Sequence, residues 1–348
     1  MGRYLTERAS YPHSAPVLGV VEYRRDAEAV TLMVLHGYVP NQGTAWQYAL
    51  DELSRFFERM LAQAAGEPQE ASLAAIKAAA ERAVTPSVQE QMGHFLDEVA
   101  LLGRRTGELH EALAAEREDP AFVPEPFTQL YQRSVYQSLR NLQRRAFDRL
   151  QATLARLPEW LHEETRALLG LSDRLLERFR LLLGKKMTGQ RIRCHGDYNL
   201  SEVLYTGKDF VTIDFEGDGA RSLSDRRVKR SALRDVASMV RSFHYAATGA
   251  LIGGGAKGQA PGVIRRQDQA VLEPWARTWY GWVTAAFLQA YLGKTQGAAF
   301  LPQSAEEFWL LLGLYLLEKG LMELYYELTN RLDWAVIPIR GLLALLRP

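Results

Sequence analysis

Residues 17 to 39 alternate between apolar runs and a polar break: VLGVVEYR, then RDAE, then AVTLMVLHGYV. The β-branched content and the break between Arg24 and Glu28 predict a pair of strands. From Asn41 the period changes. Trp46, Leu50, Leu53, Phe57, Met60 and Leu61 recur at helical spacing and predict an amphipathic helix. A polar interruption from Gly66 to Leu73 precedes further helical patterns that run to Ala115. The proline-rich, charged stretch EREDPAFVPEP, Glu116 to Pro126, marks the boundary between two subregions. Two long helices are predicted next, over 127–157 and 158–185, with surfaces rich in Arg, Gln and Glu that read as solvated outer faces. Short β-prone runs return between Arg191 and Asp218, around the turn Thr206-Gly207-Lys208-Asp209. Helices resume near Ser231 and fill the rest, apart from a glycine-rich loop at 253–262.

Composition narrows the possible functions. With 348 residues, 47% apolar and 24% charged, the chain is ordinary globular protein of about two domains. Forty-two Lys and Arg against 41 Asp and Glu give a net charge of +1, which argues against nucleic-acid and anionic-membrane partners and requires any phosphate chemistry to be local. Cys194 is the single cysteine and has no internal disulfide partner. MGRYLTERASYPHSAP carries no apolar secretory core, and no charge-free run approaches the roughly 18 residues of a membrane helix. A cytoplasmic location is the expectation.

The β-prone island is where the chemistry concentrates. Asp197 closes His195-Gly196-Asp197, and Asp214 follows 17 residues later in Ile213-Asp214-Phe215-Glu216. A hairpin between them brings both carboxylates to one end of the structure. Phosphoryl transfer uses such a pair, one carboxylate orienting the attacking hydroxyl and the other holding magnesium. His195 reads either as a loop histidine bonded to backbone or as a proton carrier. Cys194 reads as a small buried hydrophobe. Asp235 reads by itself as an ordinary first-turn acid favoured by the helix dipole. Gly253-Gly254-Gly255-Ala256-Lys257-Gly258 satisfies G-x-G-x-x-G, but a helix precedes it and Pro261-Gly262 follows, so it reads as an interhelical loop and not a dinucleotide site.

The stretch HGDYNLSEVLYTGKDFVTIDFEGDGARSLSDRRVKRSALRDVASMVRSFHYAA resembles the catalytic segment of the maltokinases, relatives of the aminoglycoside phosphotransferases that are often fused to trehalose synthase. TLMVLHGYVPNQGTAWQYALDELSRFFE is similar to their interlobe hinge, and LEKGLMELYYELTNRLDWAVIPIRGL to their C-terminal helix and tail. The resemblance implies an α+β, mostly helical, protein-kinase-like fold with a truncated N-lobe. Residues 1–120 would hold the remnant of the β-rich upper lobe, the hinge and a helical intermediate region, and residues 121–348 the helical catalytic lobe. It implies ATP-dependent phosphorylation of maltose to maltose 1-phosphate, with ATP and Mg2+ as cofactors. Asp197 becomes the catalytic base with His195 beside it, Asp214 the main magnesium ligand, joined by Glu202 and Glu216, and Asp235 gains a second reading as the anchor that accepts the loop's amide hydrogens. Tyr38 and Val39 of the hinge, with Glu202 and Asp214, line the nucleotide. Tyr326, Arg331 and Arg340 are sugar-site candidates, and a trehalose synthase is a possible partner.

Two departures from the family's pattern stand out. Maltokinases carry a further segment ahead of GRYLTE, including the basic residue that grips the ATP phosphates. Where they read HGDYHLGQ, this chain has Asn199, Ser201 and Glu202. Glu202 replaces an amide at the second metal, and an added unit charge 4 Å from another is worth about 4 kcal/mol at an effective dielectric near 20. Two rivals follow: a degenerate kinase-like module that scaffolds or regulates a trehalose synthase, and a kinase for another sugar.

Overall fold

In the computed structural model, residues 1–25, 28–62, 67–69, 71–82, 84–219, 221–252 and 264–347 are described. A short helix, α1 (Gly2–Glu7), leads to the anticipated strand pair, β1 (Val17–Arg25) and β2 (Glu28–His36). The strands run antiparallel, from Val17 opposite His36 to Arg25 opposite Glu28. Leu18, Leu32, Met33 and Leu35 of this hairpin are 62 to 68% exposed.

Helix α2 (Ala45–Ala62) buries Leu53, Phe56, Phe57 and Met60. It starts after the polar Asn41-Gln42-Gly43 because Thr44 and Gln47 cap it reciprocally. The Gln47 side-chain oxygen accepts from the Thr44 amide at 3.0 Å, and the Thr44 hydroxyl accepts from the Gln47 amide at 3.3 Å. Helices α3 (Leu73–Ala80), α4 (Pro86–Met92) and α5 (Phe95–Ala114) follow. The proline-rich stretch then runs through β3 (Glu125–Pro126) into α6 (Gln129–Thr153).

The single helix expected over 158–185 is broken. It forms α7 (His162–Leu169) and α8 (Ser172–Arg180), flanked by 3-10 turns at Glu159–Leu161 and Leu181–Leu183. Gly170 and Leu171 interrupt it, and the break lets Leu168, Leu175, Phe179 and Leu182 all reach the interior. β4 (Gln190–Arg191) pairs with β3, and β5 (Val203–Tyr205) with β6 (Phe210–Thr212), both antiparallel. Helices α9 (Leu223–Arg227), α10 (Leu233–Ile252), α11 (Arg266–Lys294), α12 (Ala305–Asn330) and α13 (Val336–Leu346) complete the chain. The glycine motif at 253–258 lies outside the described residues.

A continuous buried core runs from Tyr4 to Leu346. Within it α5 and α11 approach closely, and a Cβ placed on Gly103 would sit 2.4 Å from the Phe287 carbonyl oxygen. Helices α10 and α12 are joined by two largely buried ion pairs, Arg234 with Glu318 at 2.9 Å and Arg241 with Glu323 at 2.6 Å. Among the described residues no helix is long and apolar enough to cross a membrane.

Candidate active site

The β5–β6 hairpin is held on both edges by backbone from the N-terminal region. On one side Thr212 donates to His13 O at 2.9 Å, and Ala15 donates back to Thr212 O at 3.2 Å. On the other, Gln42 donates to Tyr205 O at 2.8 Å, and Tyr205 to Gly43 O at 3.0 Å. Arg105 of α5 grips the turn through Asp209 with two 2.8 Å bonds. The hairpin's free ends are thereby fixed, and they carry the His195-Gly196-Asp197 loop and the Asp214-Phe215-Glu216 segment.

Asp235, on the first turn of α10, is the loop's anchor. It is 1% exposed and accepts from the amides of His195 at 2.7 Å and Gly196 at 3.0 Å. His110 lies 3.4 Å away with its other nitrogen on Tyr291. Burial alone would raise the Asp235 carboxyl. The hydrogen bond and charge of His110, the His195 ring and the Gly196 amide outweigh it and hold the carboxyl below its usual range. Of the two readings of Asp235, the anchor is the one observed.

His195 is also a fastener. Its Nε2 lies 2.8 Å from the Ile213 carbonyl, and a carbonyl only accepts, so Nε2 carries the hydrogen and Nδ1 accepts from the Asp197 amide at 3.4 Å. The ring is 1% exposed and packs on Tyr198 and Phe215. Both ring nitrogens are thus taken up by backbone, the arrangement of the loop-histidine reading. Cys194 is buried, its thiol raised well above its ordinary value by burial, as expected of a packing residue.

Asp214 has φ +56°, a left-handed conformation uncommon outside glycine. The chain turns there so that Gly217 can pass the loop, where a Cβ on Gly196 would lie 3.5 Å from the Gly217 Cα. Asp214 and Glu216 are exposed, and Glu202 is half-buried. The Glu202 carboxyl is raised to about 7 by burial first, then by the charges of Asp214 and Asp197. Asp197, Glu202 and Asp214 therefore form one acidic cluster. Among the described residues no three His, Cys, Asp or Glu side chains make a complete metal cage. A magnesium ion held by one or two carboxylates and by substrate phosphates needs no such cage, and would relieve the repulsion within this cluster. The carboxylate chemistry of this cluster is compatible with that ion, and Asp214 and Glu202 would be its protein ligands.

Sequence reasoning missed Lys319. Its ammonium lies 3.2 Å from Asp197 Oδ1. The available signal was that Glu318 and Lys319 are the only charges in the run from Trp309 to Met322. Tyr38 is 86% exposed, and the Val39 carbonyl accepts from Asn41 at 2.9 Å, just ahead of the segment that borders β5. Tyr326 follows Lys319 by seven residues on α12, about 10 Å along the axis. Arg331 chelates Glu327 at 2.7 and 2.9 Å and stacks 4.7 Å from the Trp334 ring. Arg340 is engaged by Glu164 at 2.9 Å and Glu273 at 3.6 Å, and among the described residues no hydrogen bond or ion pair ties it to the His195–Asp197 loop.

No protein-family model matches the chain. Among solved structures it is similar to a glucosamine kinase in complex with glucosamine, ADP and inorganic phosphate, with a TM-score of 0.69 and 19% identity over 98% of this chain and 70% of that one. Two further glucosamine kinase structures, crystal forms B and A, give TM-scores of 0.68 at 20 and 19% identity, covering 99% of this chain and 67 and 65% of theirs. At such identity the likeness is one of fold. The chain is mostly helical with small sheets, and over nearly all its length it has the fold of these sugar kinases while spanning about two thirds of theirs.

Proposed function

We propose that this protein transfers the γ-phosphoryl group of ATP to a sugar hydroxyl. The observation that carries the reading is the convergence of Asp197, Glu202 and Asp214 at the ends of the β5–β6 hairpin, on a loop clamped by Asp235. The fold shared with glucosamine kinases supports it. A protein-kinase-like arrangement, with Tyr38 and Val39 bordering the nucleotide, is part of the same proposal.

Asp197 accepts the proton of the sugar hydroxyl as its oxygen bonds to the γ-phosphorus, and the bond to the β–γ bridging oxygen breaks to release ADP. Asp214, with Glu202, would hold a magnesium ion, which would neutralise the phosphates when bound. Maltose is the acceptor we favour on sequence resemblance, and the neighbouring structures make glucosamine the first alternative.

A coupled ADP-release assay with Mg·ATP against maltose, glucosamine and glucose tests this. Sugar-dependent turnover that Asp197→Asn lowers by about 1,000-fold or more supports the reading, since positioning and proton acceptance are lost together. Absence of turnover with every sugar, or a mutant within about threefold of the parent, defeats it.

A further inference from the structure

We propose that Lys319 is a further catalytic residue, its ammonium binding the phosphoryl group in transit while it orients the Asp197 carboxylate. The proposal rests on the phosphoryl-transfer reading above. Asp197 Oδ1 takes one of the three N–H groups of Lys319, at 3.2 Å. In a reactive complex the acceptor oxygen lies within hydrogen-bond reach of Asp197, and the phosphorus about 3 to 3.5 Å beyond it. A cation fixed on Asp197 is therefore next to the equatorial phosphoryl oxygens, where charge is spread in the transition state.

The placement of Lys319 is built in by four neighbouring groups. Gly320 lets α12 lie close on α13, where an added Cβ would meet the Leu342 side chain at 2.9 Å. Glu318, 8% exposed, is bound to Arg234 at 2.9 Å. The next residue of α10 is Asp235, which holds the amides of His195 and Gly196. Consecutive residues of α10 thus register α12 and the catalytic loop against each other, leaving Lys319 and Asp197 face to face. Lys319 retains 26% side-chain exposure and Asp197 40%, so the pair opens onto solvent where a substrate can enter. A purely structural ion pair at that exposure contributes about 0 to 1 kcal/mol. Stability alone gives little reason for a lysine in an otherwise apolar stretch of helix.

The test uses the full chain with Lys319→Met and Lys319→Arg. Each is assayed for sugar-dependent ADP release and for Mg·ATP affinity by calorimetry, and titrated with inorganic phosphate while 31P line broadening is followed. If the parent transfers phosphate, the expected result for Lys319→Met is a kcat about 100-fold or more lower with acceptor KM and Mg·ATP affinity within about threefold, and Lys319→Arg recovers about a tenth or more of the parent rate. A Lys319→Met kcat within about threefold of the parent, or a loss confined to KM, overturns the proposal. If the parent phosphorylates no sugar, the functional reading fails, and the phosphate titration decides on Lys319 independently. Broadening present in the parent and lost in Lys319→Met upholds phosphoryl binding. Equal broadening in both, or none in the parent, overturns it.

Discussion

Asp235 holds the backbone of His195 at 2.7 Å from beneath the loop whose next carboxylate, Asp197, faces the opening. The buried acid and the half-exposed one thus have opposite tasks within three residues of each other's contacts. Removing the first should damage the fold, and removing the second should damage only the chemistry. Asp235→Ala leaves the buried His195 amide, the part-buried Gly196 amide and His110 without an acceptor, with an expected cost of about 3 kcal/mol in urea unfolding. Asp235→Asn, which keeps one acceptor, should cost less. Because the Asp235 carboxyl is depressed in the folded state, its contribution is present above the unfolded value near 4 and fades as pH falls below it. The gap between parent and Asp235→Asn should therefore narrow in acid; a gap independent of pH would contradict the assignment.

The left-handed backbone of Asp214 separates its charge from its conformation. Asparagine tolerates φ above zero, so Asp214→Asn should weaken magnesium-dependent ATP binding about tenfold or more with little change in stability. Asp214→Ala should lose the same binding and about 1 kcal/mol of stability besides. Calorimetry with and without magnesium, alongside thermal unfolding, measures both. Identical magnesium dependence in parent and Asp214→Asn would remove Asp214 from the metal site.

Glu202 has the opposite sign to Asp235. Its folded value is raised from 4.5 to about 7, so the folded state binds this proton more tightly than the unfolded one, and stability falls as pH rises across that window. Glu202→Gln removes the loss. It should match the parent near pH 4.5 and become progressively more stable up to about pH 7, with the difference level beyond that. Thermal unfolding from pH 4.5 to 8 checks this, and a constant difference would show that neither burial nor the charges of Asp214 and Asp197 raise the Glu202 carboxyl.

Two glycines of the α5–α11 layer make a paired test of packing. Gly103→Ala drives a methyl to within 2.4 Å of a backbone oxygen and should cost about 2 to 3 kcal/mol. Gly293, in α11, has nothing within 4 Å of its added Cβ, so Gly293→Ala should gain about 0.5 to 1 kcal/mol. Chemical denaturation of the two variants reads both, and equal effects would mean the helices do not approach at Gly103.

The candidate site was legible in sequence where its parts are local. His195 to Asp197, the turn at Thr206 to Asp209 and Ile213 to Glu216 all fall within one hairpin, and their order predicts their meeting. Lys319 comes from 122 residues away, and nothing in its own surroundings names Asp197 as its partner. Asp235 was open between two readings for the same reason, since the amides it accepts lie 39 and 40 residues back. The strand pair at 17–36 and the helix from Ala45 followed directly from period. The 158–185 helix did not, because Leu168, Leu175, Phe179 and Leu182 keep an apparent helical rhythm across Gly170 while burial turns the chain there.

The β1–β2 hairpin has a consequence for handling the protein. Two strands alone are marginal in water, and among the described residues these present Leu18, Leu32, Met33 and Leu35 to solvent from a two-stranded sheet in which each strand is an edge. Such an edge recruits extended chain from whatever molecule is nearest. In concentrated solution the hairpin is thus the natural seed of self-association, and amide exchange should be fastest there while α10 and α12 remain protected. Dilute samples, or a lysine placed at the exposed Leu32, would keep the molecules apart without touching the β5–β6 hairpin.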